Sequence, residues 1–222
     1  MTFVGNSLNF ANLTSKATPV GADKVMIADS AAGNAIKQAT VSSILSGASA
    51  GALTFIASVT ASASATVDFS NNLSATYDNY LVVVEDMLPA SASTTLFARV
   101  GTGAGPTYQA TAYSGVTACF SGATTTAITG TTAFGLTKIS SMLANANLVA
   151  GGHFLFTNVN SATYKNVNGQ ITYADSITST TGVICINGGQ WAGATVLTSL
   201  RFLMSSGNIA SGIFKLYGYQ NS

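Results

Sequence analysis

The sequence predicts an all-β protein, an antiparallel β-sandwich of jelly-roll-like type preceded by a small N-terminal hairpin segment. Three observations carry that prediction. The apolar runs are short, on the order of four to eight residues, which is strand length rather than helix length. Clusters of Gly, Ser, Asn, Asp and Pro separate them, and these residues turn a backbone cheaply. The 3.6-residue period of a surface helix is almost absent.

The elements follow in chain order. Residues 1–16 set single hydrophobes among Ser7, Ser15, Asn6, Asn9 and Asn12. Such a segment gains order by lying on a partner rather than by folding alone. Residues 19–23 (PVGAD) make a turn, 24–28 (KVMIA) a strand, 29–34 a second turn and 35–40 the returning strand. Residues 41–45 are a helical turn that Thr40 can cap and Gly47 can end. A hairpin of this size has no independent core, and isolated two-stranded hairpins are marginal in water. It is therefore expected to oligomerise or dock. The small-residue stretch SGASAGA, residues 46–52, reads as a flexible linker. The expected organisation is a docking segment over 1–47, a linker over 48–52 and a sandwich over 53–222.

Strands are expected at 53–60, at 66–69 and at 80–85 (YLVVVE), the last ended by Asp86. Further strands are expected at 96–100 and 113–120, with a glycine-rich loop at 101–106 between them. Residues 124–132 are Thr-rich and low in complexity, and 134–136 and 139–143 are short apolar runs. Strands follow at 153–159, at 164–167, at 170–174 past a bulge at Gly169, at 183–187 and at 195–198. The last two runs, 200–204 and 213–216, flank Ser205, Ser206, Gly207 and Asn208. They read as a hairpin, or as two nearby antiparallel strands, closing a sheet. In the final strand Phe214 and Leu216 share one face, and Ile213, Lys215, Tyr217 and Tyr219 the other.

Composition narrows the function classes. Only 7% of residues are charged and the formal net charge is +1. An average globular chain carries roughly 25% charged residues. There is no electrostatic basis for a nucleic-acid partner. So few charges protect a monomer poorly against self-association, which implies a surface largely covered in an assembly; the alternative is a Ser- and Thr-coated surface that is soluble without charges. Mean hydropathy is positive, yet the least charged stretch, 38–67, is full of Ser, Thr and Gly. A spanning helix needs about 20 predominantly apolar residues, so no membrane insertion is expected. The N-terminus has neither a basic n-region nor an apolar h-region, which predicts synthesis in a cytoplasm without secretion. Cys119 and Cys185 are the only cysteines. Two in a chain of this length make no disulfide framework, and both are expected to be reduced, with Cys185 in the core.

Four segments carry a resemblance. They are RFLMSSGNIASGIFKLYGYQNS at the C-terminus, ASVTASASATVDFSNNLSATYDNYLVVVEDMLPAS at 57–91, ATYKNVNGQITYA at 162–174 and ATPVGADKVMIADSAAGNAIKQATVSSIL at 17–45. The first three resemble a β-sandwich domain of tailed-bacteriophage structural proteins. The fourth is similar to a short module near the start of phage tail-fibre and other virion proteins. The resemblance implies a virion-surface protein made in the host bacterial cytoplasm, with phage capsid or tail proteins as partners. It also implies a homotrimer.

Candidate chemistry is thin. His153 is the only histidine, and no G-x-S-x-G nucleophile elbow accompanies it. The acids are Asp23, Asp29, Asp68, Asp78, Glu85, Asp86 and Asp175. The adjacent pair Glu85 and Asp86 points to opposite faces of a strand, which does not make a glycosidase dyad. One histidine and two distant cysteines give no zinc spacing, and no calcium loop occurs. The glycines at 101–105 lack the lysine and helix of a phosphate loop. No catalytic residue, metal or cofactor is expected. Trp191, on an expected loop beside Gln190, and Tyr108 are candidates for stacking on a sugar ring. Alternatively Trp191 packs against the sheet edge or a neighbouring subunit.

The resulting expectation is a non-enzymatic virion component, a head fibre or capsid decoration. Phe3, Leu8, Phe10, Leu13 and Ile27 would bury against the particle while the sandwich projects outward. The alternative is a tail-fibre adhesin whose sandwich binds a host-surface glycan.

Overall fold

The computed structural model describes residues 17–47, 53–121, 124–129, 132–139, 141–175 and 182–219. The expected linker at 48–52 lies outside these residues, as do Phe3, Leu8, Phe10 and Leu13. The chain divides into two units, Met1–Ala50 and Gly51–Ser222.

In the first unit β1 (Lys24–Asp29) and β2 (Ala35–Thr40) pair antiparallel. A 3-10 turn, Ser30–Ala32, joins them, and Gly33 closes it in the left-handed region at φ 64°. The Asp29 carboxylate accepts from the Ala31 N–H at 3.0 Å and from Lys37 Nζ at 2.5 Å, so one side chain fixes both the turn and the returning strand. Helix α1 (Val41–Gly47) follows at once. Its start is capped by Thr40, whose Oγ1 accepts from the Ser43 N–H at 3.1 Å.

The second unit is a sandwich of antiparallel sheets. Its strands are β3 (Leu53–Ser64), β4 (Thr66–Phe69), β5 (Asn79–Pro89), β6 (Leu96–Thr102), β7 (Thr107–Tyr108), β8 (Tyr113–Ser121), β9 (Thr124–Thr129), β10 (Phe134–Gly135), β11 (Ala150–Thr157), β12 (Lys165–Ala174), β13 (Gly182–Trp191), β14 (Ser199–Met204) and β15 (Ile209–Tyr219). The larger sheet has eight strands in the order β3-β15-β5-β11-β12-β13-β8-β9. The smaller has the order β10-β6-β14-β4, with β7 also on β6. The subset β3-β15-β5-β11 faces the subset β4-β14-β6-β10. The chain passes from sheet to sheet along β3, β4, β5 and β6, and again along β10, β11, β14 and β15. That interleaving is a jelly roll. Strands β8, β9, β12 and β13 are insertions that widen the larger sheet beyond β11.

Alternation fills the core. In β5, Tyr80, Val82 and Val84 point inward, and in β15, Phe214 and Leu216 do. Phe202 of β14 is the hub. Its ring meets Phe214 at 5.2 Å, Phe156 at 6.4 Å and Phe154 at 6.5 Å, all from the larger sheet, and Phe69 of its own sheet at 6.4 Å.

Several local expectations are corrected. The last two strands do not pair. β14 lies in the smaller sheet and β15 in the larger, so the 205–208 turn carries the chain between layers. Sequence alone shows the turn but not which sheet receives the next strand. Asp86 does not end β5. The strand bulges there, with Asp86 at φ 50° and a register shift against β15, and resumes to Pro89. Gly169 makes no bulge either, because β12 keeps register with both neighbours through it. Its glycine instead admits close approach of β11: a Cβ there would come within 2.1 Å of the His153 carbonyl oxygen. Residues 195–198 form no strand. They cross the end of the sandwich, where the Leu197 N–H donates to the Val159 carbonyl and the Thr198 N–H to the Gly101 carbonyl.

Cys119 and Cys185 are not reduced. They form a disulfide between directly paired residues of β8 and β13. Both side chains are buried. The expectation failed because a separation of 66 residues hides a cross-strand pair from any local reading. In the chain-entropy view, closing a loop of this length is worth about 4 kcal/mol.

Candidate functional site

Two surfaces stand out among the described residues. No group of three or more His, Cys, Asp or Glu side chains is gathered among them to hold a metal ion. No helix among them is long and apolar enough to cross a membrane.

The first surface is the N-terminal unit. Val25, Met26 and Ile27 of β1 and Ile44 of α1 are all exposed, Ile36 of β2 is 71% exposed and Leu45 of α1 is 65% exposed. Ile27, the one expected docking residue within the described chain, is 40% exposed. Neither strand contains a buried residue.

The second surface is the outer face of the larger sheet, whose register lays its side chains out in rows. One row runs Phe55, Tyr217, Leu81, Leu155, Asn168, Gly188 and Val116. The next runs Ser58, Lys215, Val83, His153, Gln170, Ile186 and Ala118. Phe55 is 57% exposed and packs edge-on against Tyr217 at 5.6 Å. Val116, Phe120 and Ile186 are exposed at the other end. Lys215 Nζ donates to both Glu85 carboxylate oxygens, at 2.8 and 2.7 Å. That contact pushes the lysine pKa up. An open depression lined by Leu81, Val83, Leu155, His153, Asn168 and Tyr219 lies on this face.

The three expected sugar contacts do not converge. Trp191 is not on a loop. It ends β13 and is 5% exposed. Its indole lies against Gly193, where a Cβ would come within 2.1 Å of the ring. The glycine near the tryptophan therefore signals ring packing, not a loop tip: the ring is buried in the core from an interior strand, rather than exposed on a loop or packed at a sheet edge. Tyr108 belongs to the other sheet. The Arg201 guanidinium sits 3.7 Å from its ring centroid, and its hydroxyl shares a hydrogen bond with Ser70 Oγ. Gln190 is on the outer face of the larger sheet, where its Nε2 donates to Asn166 Oδ1 at 3.2 Å.

Sequence reading missed Lys165. It is buried, and its Nζ donates to the carbonyls of Ser161 and Thr163 at 2.5 and 2.6 Å. Burial pushes its pKa down. It braces the β11–β12 loop from within, and only the pairing of β12 with β13 shows that it points inward.

In comparison with known proteins, no family model matches the chain, and no curated protein and no solved structure matches it either.

Proposed function

We propose that the protein is a non-enzymatic structural component of a bacteriophage virion, a short oligomeric appendage of head-fibre or capsid-decoration type. The N-terminal segment holds it to the particle and the jelly roll faces outward. The observation that carries this reading is the exposed apolar surface of the N-terminal unit, set out by Ile36, Met26, Ile44 and Leu45. A hairpin and one short helix that leave these side chains in water are stabilised by a partner surface. The resemblance of residues 17–45 to a virion module supplies the partner class. The rows of the larger sheet's outer face through Tyr217 and Lys215 supply the oligomer contact, and the end of that face at Tyr164 stays open. Eight strands about 4.8 Å apart and on average about ten residues long give a face on the order of 1,200 Å², and a stable interface takes about 800 Å² from each partner.

The test mixes labelled protein with particles stripped of it. The full chain is expected to load saturably. A chain lacking residues 1–47 is expected not to load, while keeping the melting transition of the sandwich. Full loading by the shortened chain would overturn the anchoring reading.

A further inference from the structure

We propose that the end of the larger sheet's outer face around Tyr164 is a subsite for one ring of a neutral sugar. An open depression of about 430 Å³ is lined there by Asn158, Thr163, Tyr164, Asn166, Gln190 and Ala194. No charged side chain is among its lining residues. An acidic or basic ligand would find no counter-charge in it.

Tyr164 supplies the apolar element. It is 49% exposed, and its hydroxyl has no hydrogen-bond partner among the described residues. An aromatic face of this kind takes the C–H face of a pyranose ring, and the hydroxyl serves the ring's edge. The backbone under it is held still. Lys165 Nζ grips the carbonyls of Ser161 and Thr163, and Asn158 Nδ2 donates to the Tyr164 carbonyl at 3.3 Å. Asn160 Nδ2 donates to the carbonyls of Ser74 and Tyr77, which pins the same loop to the preceding segment. A platform fixed in this way spends little ordering entropy on binding.

Asn166 and Gln190 supply the polar element. They are paired across β12 and β13. Their mutual hydrogen bond uses Gln190 Nε2 and Asn166 Oδ1. Gln190 Oε1 and Asn166 Nδ2 have no partner among the described residues. One free acceptor and one free donor therefore stand side by side next to an aromatic face. Turning both amides over leaves one of each. Two neighbouring hydroxyls of a sugar each donate and accept, so they match such a pair. A peptide strand would instead seek an unpaired sheet edge, and β12 and β13 are interior strands. A shallow site for one ring binds with an affinity of about millimolar.

This site does not rest on the anchoring reading, since it lies wholly in the sandwich. The experiment is saturation-transfer NMR on the full chain with the methyl glycosides of glucose, galactose, mannose and N-acetylglucosamine as separate probes. At least one is expected to receive saturation on its ring C–H protons and to shift the Asn166 and Gln190 side-chain amide signals. Tyr164→Ala is expected to weaken that binding about tenfold or more, and Tyr164→Phe about threefold or less. Gln190→Ala is expected to weaken it about three- to tenfold. Both positions are at the surface, so an unchanged melting temperature accompanies each of the three variants. Absence of transfer to all four glycosides overturns the proposal, and so does binding that Tyr164→Ala leaves unaltered.

Discussion

The two outer faces of the sandwich are built from different chemistry. On the smaller sheet, Asp68, Arg201 and Arg99 lie side by side on β4, β14 and β6. Arg201 grips Asp68 through two hydrogen bonds, at 2.8 and 2.6 Å, and covers the Tyr108 ring. Hydrogen bonding to Asp68 pushes the Arg201 pKa up. On the larger sheet Lys165 is buried, Asp86 is exposed at the β5 bulge, and Lys215 and Glu85 neutralise each other. The rest is aliphatic, aromatic, amide or hydroxyl, with His153 near the middle. The low charge of the chain is therefore not spread evenly. The smaller face is finished for water, and the larger face and the N-terminal unit are where contact surface was left open.

The comparison breaks first if the layer beneath both faces is removed. Phe202→Ala empties the hub shared by the two sheets and is expected to cost about 3 to 5 kcal/mol. Denaturant unfolding measures it. A loss below about 1 kcal/mol would mean that the sheets are not held together by that ring cluster.

A smaller effect uncouples the faces by pH. Tyr113 of β8, in the larger sheet, accepts from the Val100 N–H of β6, in the smaller one, at 2.9 Å. Burial pushes its pKa up to about 12. The raised value means that the neutral phenol is favoured by folding. Its contribution is complete below pH 10, the ordinary tyrosine value, and is lost as pH rises through about 12. Burial raises Tyr173 as well, so its contribution has the same sign. A shift of about two pH units for Tyr113 corresponds to about 2 to 3 kcal/mol. Melting curves recorded between pH 8 and 12 are expected to fall in the upper half of that range, and Tyr113→Phe is expected to flatten the fall. An unchanged fall in the variant would remove Tyr113 from the account.

The smallest effect on stability sharpens the comparison most. Ile186→Lys on the larger face is expected to change monomer stability by no more than about 0.5 kcal/mol. It is expected to lower self-association by tenfold or more, read by sedimentation equilibrium. Leu203→Lys on the smaller face is expected to leave self-association unaltered. If the two variants behave alike, the faces do not differ in function.

Much of the fold was legible because strand signals are local. The N-terminal hairpin, its Thr40 cap and the inward set Phe214 and Leu216 follow from alternation and capping, which need only neighbours in sequence. Little of the site was legible. Gln190 was found beside a tryptophan, but the ring that stands next to it in space is Tyr164, 26 residues away and on the adjoining loop. Trp191 reads as a loop residue with Gly193 close behind it because a glycine that clears room for an indole and one that frees a turn look the same in sequence.

By itself the sequence determined the all-β class, the places where the chain turns, the faces of individual strands and the low charge of the surface. These depend on side-chain period and turn chemistry within a few residues. Tertiary structure alone decided which sheet each strand joined, that Cys119 meets Cys185, that Trp191 is buried and that Asn166 stands beside Gln190. Those outcomes depend on register between strands far apart in the chain. Because side chains alternate, the same residue can end in the core or at a binding face according to a pairing that no local pattern specifies.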